Sequence, residues 1–320
     1  MTLVSTVKTW LLVLPAVALL GVAGYRASGH ARPDAPVEAP SAPEAASPPA
    51  SDAPVLPEPL LRRLAREGRG TALPSGLPLD IRADVEGDTD LFAYAQRLRV
   101  QAEGGNSEAR WMLSRVYDYC AQYAMDPGGY RLDNNVLSGL GLSAAPTMVQ
   151  ARERVAHRCG GFVASDNLGP ALVSSERRRA ATQGNLPAEA SLFAAGEPLK
   201  NTPDYRRDLV ERVLHSQDPE AFNALAPGMG LRAAGDKALT GYVAGDPLSE
   251  LAWRMAACEL GMPCGPDSVL VNSYCANGGI CSTSGGQDFR DFVYDAAVSR
   301  QGSGKMNEWV KQLLKTRGRR

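Results

Sequence analysis

The chain has 320 residues, with 34 Lys and Arg against 35 Asp and Glu, 44% hydrophobic and 6% aromatic residues. The net charge of −1 gives no reason to expect nucleic acid or strongly acidic partners. The length is enough to bury a sizeable core.

Residues 1–8 end in Lys8, and residues 9–25, from Thr9 to Tyr25, form an uncharged and mostly apolar run. A spanning helix takes about 17–25 such residues and the core of a signal peptide about 7–15. The run therefore stands between an uncleaved anchor and a cleaved signal. Gly21-Val22-Ala23 is a poor cleavage site, and Trp10 and Tyr25 flank the run as interfacial aromatics do. These features favour an inner-membrane anchor with 1–8 in the cytoplasm and the rest in the periplasm. A periplasmic or secreted protein, released by cleavage, is the alternative.

Residues 26–59 read as a linker. Nine prolines stand between Pro33 and Pro59, and Val37, Val55 and Leu56 are the bulky aliphatics there. Such a segment buries too little surface to offset the entropy of ordering it. Proline extends it at about 3.1 Å per residue, a reach of roughly 80 Å.

From 60 to 320 the pattern is helical. Leu91, Tyr94, Ala95, Leu98 and Ala102 form one stripe, with Asp88 or Asp90 to cap it and Gly104 to end it. Ala109, Met112, Leu113, Val116, Tyr117 and Cys120 form the next, with Ser107 as its cap. Met148, Ala151 and Val155 mark another. Thr202-Pro203, Asp218-Pro219 and Asp246-Pro247 each announce a helix start, because proline at the first position sacrifices no hydrogen bond. The stripes behind them are Leu209, Val210, Val213, Leu214; Ala221, Leu225; and Leu248, Leu251, Ala252, Met255. Phe289, Phe292, Val293, Ala296 and Trp309, Val310, Leu313, Leu314 complete the set. No alternating Val/Ile/Thr run argues for a sheet.

The breaks between helices recur. Ala102-Glu103-Gly104-Gly105-Asn106-Ser107-Glu108-Ala109 is echoed by Ala181-Thr182-Gln183-Gly184-Asn185-Leu186-Pro187-Ala188, and more loosely by His215 to Ala221. The A-x-x-G-N-x-x-A pattern, clearest from Ala102 to Tyr117, resembles the Sel-one-like branch of the tetratricopeptide superfamily over about a third of the domain. The resemblance implies an all-α fold of stacked antiparallel helical hairpins that bury a core only together. The step from Asn106 to Asn185 spans about two repeat periods and has no Gly-Asn turn of its own.

All six cysteines lie downstream of the apolar run, in keeping with a compartment where disulfides persist. Cys258 and Cys264 bracket a Gly/Pro turn, and Cys275 and Cys281 bracket Asn277-Gly278-Gly279. Cys120 and Cys159, each at a helix end, are natural partners for the third bridge. Cross-pairing among the last four is the alternative, since connectivity is not deducible from sequence. Zinc is the rival, but its paired ligands stand closer.

No H-E-x-x-H, G-x-S-x-G or Walker pattern occurs, and Gly228-Met229-Gly230 lacks the preceding strand of a dinucleotide loop. No metal or cofactor is implied. His30 falls in the linker, while His157 and His215 sit on helices beside polar residues. Glu176, Glu189, Glu211 and Glu250 are the helical carboxylates from which a hydrolase would draw its acid and base. Function therefore reads as an envelope-exposed binding or scaffold protein without catalysis. Its partner would be another envelope protein or a cell-wall component, and its membrane contact runs through 9–25. Tyr94, Tyr123, Tyr205 and Trp253 are the candidate anchors for that partner. A cell-wall-directed hydrolase on the same scaffold is the alternative.

Overall fold

A computed structural model describes residues 81–282 and 286–315. The apolar run 9–25, the linker 26–59, the domain start at 60, His30 and residues 316–320 lie outside the described residues. Among the described residues there are twelve α-helices and no strand, and no helix is long and apolar enough to cross a membrane. In chain order they are α1 Leu91–Glu103, α2 Ser107–Met125, α3 Pro127–Gly139, α4 Ala145–Arg158, α5 Pro170–Thr182 and α6 Leu186–Ala195. Then follow α7 Pro203–Ser216, α8 Pro219–Met229, α9 Pro247–Glu259, α10 Val269–Ala276, α11 Phe289–Ala296 and α12 Ser303–Leu314.

The helix starts follow from side-chain capping of unpaired N–H groups. Asp90 accepts from the Phe92 and Ala93 amides. Thr202, Asp218 and Asp246 cap α7, α8 and α9 with proline at the first turn, as the sequence predicts. At α2 the cap is Asn106 and not Ser107: Asn106 is extended (φ −74°, ψ 105°) and its Oδ1 reaches the amides of Glu108 and Ala109, whereas Ser107 is already helical. The stripes point inward. All six named residues of α2 are buried, as are Leu209, Val210, Val213 and Leu214 of α7. Ala296 is the exception in its stripe, exposed at the last residue of α11.

The echoed turns share one geometry. Gly105 and Gly184 stand at φ +92° and +88°, a left-handed conformation that favours glycine. Their amides donate to Ala102 and Ala181, three residues back, and those of Asn106 and Asn185 donate to Gln101 and Ala180, five residues back. The hairpins α1/α2, α5/α6 and α7/α8 hinge on these turns and on the Ser216–Asp218 turn. The three turns meet in space: Arg82 bridges Glu108 at 2.6 Å and Asp218 at 2.6 Å, and Asn185 donates to Glu108 at 2.8 Å. The hairpins are therefore stacked in a repeat-like array, α5 against α2, α8 against α6 and α9. The gap between the two Gly-Asn turns holds α3 and α4, which pair with each other.

Three disulfides staple this array: Cys120–Cys159, Cys258–Cys264 and Cys275–Cys281, with sequence separations of 39, 6 and 6. These are the pairings favoured by position in the sequence, and among the described residues no cysteine is free. The first ties the α3/α4 insertion to α2, and the other two close single turns. Loop entropy makes the first worth about 4 kcal/mol and each short one about 2 kcal/mol. Chemical denaturation should therefore show a larger loss for Cys120→Ser with Cys159→Ser than for either short pair replaced alike.

Candidate functional site

The helices leave a broad, open cleft of about 560 Å³ whose walls come from α2, α5, α6, α8, α9 and α10. α2 supplies the floor. Its positions Trp111, Arg115, Asp118 and Tyr119 lie at i, i+4, i+7 and i+8, one face of the helix. The remaining polar groups arrive one or two per helix: Arg177 from α5, Ser191 from α6, Asn223 from α8, Glu250 and Arg254 from α9, Ser273 and Tyr274 from α10. Met262 in the 258–264 loop and Asn277 with Gly278 in the 275–281 loop complete the rim. Both short cross-links thus fix segments that border the cleft.

Each guanidinium of the cleft is held by a carboxylate. Arg115 meets Glu220 at 2.5 Å, and the Trp111 indole N–H donates to the same carboxylate at 3.3 Å. Arg177 meets Asp118 at 2.6 Å and stands over the Trp111 ring. Arg254 meets Glu250 at 3.0 Å and Asn223 at 2.9 Å. Burial pushes the Tyr274 phenol up against the opposing pull of Arg254. It does the same to Tyr119, where Arg158 opposes it and the Asn272 amide donates to the hydroxyl at 2.7 Å.

The wall formed by α10 is pinned from the far end of the chain. The Val269 amide, an unpaired group at the helix start, donates to Glu86 Oε2 at 2.9 Å. Burial raises the Glu86 carboxyl above the usual carboxylate range, although that bond and the nearby Arg115 and Arg158 pull it down. A second hollow of about 640 Å³ lies behind Tyr119, beside Glu153, Arg154 and His157 of α4. Its Glu153, His157 and Asp267 are exposed surface side chains.

Of the four aromatics named as partner anchors, three are interior. Tyr94 is buried with its hydroxyl on the Ile81 carbonyl, Tyr123 packs edge-on to Tyr130, and Trp253 packs at a tilt against Phe222 with its indole N–H on the Val243 carbonyl. They offer no surface to a partner, because an amphipathic helix spends its large rings on the core. Tyr205 is half-buried and donates to Glu189 at 2.7 Å. None of the four lines the cleft. Its own aromatics and arginines were masked in the sequence by lying beside the apolar stripe of α2 or singly on separate helices.

The four candidate carboxylates are not brought together. Glu176 is buried against Arg110 at 2.7 Å, Glu189 is gripped by Arg212, and Glu211 accepts from the Tyr242 hydroxyl. Only Glu250 reaches the cleft, and its carboxylate companion there is Asp118. His215 is exposed on α7, with Nδ1 at 2.7 Å from the Glu211 carbonyl. No group of three or more potential metal ligands occurs among the described residues. Comparison with known proteins finds no matching family, no matching curated relative and no matching solved structure.

Two carboxylates should carry opposite pH signatures. At Glu189 burial opposes ionisation, but the Arg212 fork and the Tyr205 hydroxyl outweigh it and hold the carboxyl low. Its contribution is present above the ordinary value of 4.5 and is lost as pH falls through the lowered one. Glu189→Gln should cost about 1 kcal/mol at pH 7, screened at the exposed Arg212, and progressively less in acid. The raised Glu86 has the reverse sign: its charged form works against folding once pH rises through its elevated value. Glu86→Gln keeps an acceptor for Val269, so thermal melts should show it no less stable than wild type at pH 7, with any gain vanishing in acid.

Proposed function

We propose that this chain is an envelope-exposed binding protein whose helical body presents the α2–α10 cleft to a macromolecular partner, without covalent catalysis. The observation that carries this is the build of the cleft: it is open and wide, its rim is held by two cross-links, and its charged groups are engaged in pairs. Sites for small molecules enclose most of the ligand surface. An open groove on stacked helices instead suits an extended partner, either another envelope protein or a cell-wall component. The Sel-one-like turns support the same reading, since repeat arrays of that kind act as recognition surfaces.

In this reading residues 9–25 hold the protein in the inner membrane and 26–59 is the tether. Three disulfides accord with an oxidising compartment. Membrane fractions should retain the protein after salt extraction, and a soluble form beginning near Gly24 would oppose the anchor.

A cell-wall hydrolase is the second reading, favoured by one observation: Asp118 and Glu250 share the cleft. Against it, each has an oxygen committed to an arginine. A photo-crosslinking residue at the exposed rim position Asn277 should capture a discrete partner in cells, and one at Asp204, away from the cleft, should not. Identical patterns at both positions would overturn the proposal. Hydrolysis of purified cell wall that disappears with Glu250→Gln would establish the alternative.

A further inference from the structure

We propose that the cleft accepts a basic segment of polypeptide, with Asp118 and Glu250 taking its lysine or arginine side chains. This rests on the cleft being the binding site. Charge in the cleft is layered. The side chains of Arg115, Arg177 and Arg254 are 10%, 17% and 16% exposed, whereas those of Asp118 and Glu250 are 59% and 31% exposed. The guanidiniums form the inner layer, and a ligand meets carboxylate first.

Each carboxylate also has capacity left. Asp118 gives Oδ2 to Arg177, and Glu250 gives Oε1 to Arg254. Among the described residues Asp118 Oδ1 and Glu250 Oε2 accept no hydrogen bond. A carboxylate offers about four lone-pair sites, so a second cation can bind without displacing the arginine behind it. Asn223 gives its carbonyl oxygen to Arg254, which turns its amide N–H₂ toward use by a peptide carbonyl.

Other polymers fit less well. An anionic chain would meet the exposed acids before the buried guanidiniums. A glycan is held by stacking on open aromatic faces, but Trp111 and Tyr119 are buried, and Arg177 lies 5.7 Å above the Trp111 ring. Tyr274 is the one cleft aromatic with partial exposure. A peptide needs no such platform, since its backbone amides and charged side chains supply the contacts.

Calorimetric titration of the full-length protein with hexalysine, hexaglutamate and a chitin (N-acetylglucosamine) hexamer tests the assignment. Hexalysine should bind, weaken as salt rises, and lose at least tenfold in affinity with Asp118→Asn plus Glu250→Gln. Asp204→Asn, on an exposed acid outside the cleft, should leave it unchanged. Should the double variant lose its helical circular dichroism, Glu250→Gln alone should still weaken binding at least threefold. Hexalysine that fails to bind, or binds the folded variants equally, overturns the proposal, as does preferred binding of hexaglutamate or the chitin hexamer. If the Asn277 crosslink still captures a partner in that event, only the charge assignment falls and the binding reading stands.

Discussion

α2 carries Arg110 and Arg115 into the interior, and a guanidinium there must be given a carboxylate and further acceptors. Arg110 finds Glu176 on α5 together with the Ala102 carbonyl at the end of α1. Arg115 finds Glu220 in the first turn of α8. Pairs of this kind add little net stability compared with apolar replacements, but breaking one by removing a partner costs about 3–5 kcal/mol. Their effect is on register. With one helix tied to α1, α5 and α8 at fixed points, Trp111, Asp118 and Tyr119, on the same face as Arg115, are held in register with the walls around them. The cleft is thus a consequence of where two buried cations were satisfied.

The same logic operates at the edge of the array. A helix start leaves amides without partners, and four side chains here, Asn106, Glu108, Asn185 and Asp218, serve those starts or link them. Arg82 joins two of the acids, so three turns that look alike in sequence lie together in space. Glu86, four residues later, reaches the start of α10. The short stretch entering the body from the N-terminal side therefore touches both the stacked turns and a wall of the cleft. Cross-links take over where such contacts are sparse: α3/α4 has no Gly-Asn turn to align it, and a disulfide holds it to α2.

Much of this fold was legible because its rules are local. Apolar spacing, the proline after a capping residue, and glycine at a left-handed turn each act within a few residues, and they placed α1, α2, α7, α8 and α9. The choice between Ser107 and Asn106 was not legible, since either oxygen suits a cap and only the backbone decides which residue is extended. The cleft was less legible still. Arg115, Arg177 and Arg254 are separated by more than a hundred residues end to end and look like ordinary surface charges on helices. Tyr94 and Trp253 resembled contact residues for the same reason, because a ring on a helix has no visible fate until its neighbours across the core are known.

The proposed binding role turns on the state of the acids in the cleft. General acid–base work needs a carboxyl free to gain or lose a proton at the reacting atom. Asp118 and Glu250 each have one oxygen on a guanidinium that cannot give up its own proton, at 2.6 and 3.0 Å. The remaining polar cleft groups are Ser191, Asn223, Ser273, Tyr274 and the backbone around Asn277 and Gly278, and the Ser273 hydroxyl donates to the Val269 carbonyl at 2.7 Å. In the proposed role these groups orient a bound chain. The cross-linked rim adds to that: by fixing the 258–264 and 275–281 loops before any partner arrives, it lowers the ordering cost that binding would otherwise carry.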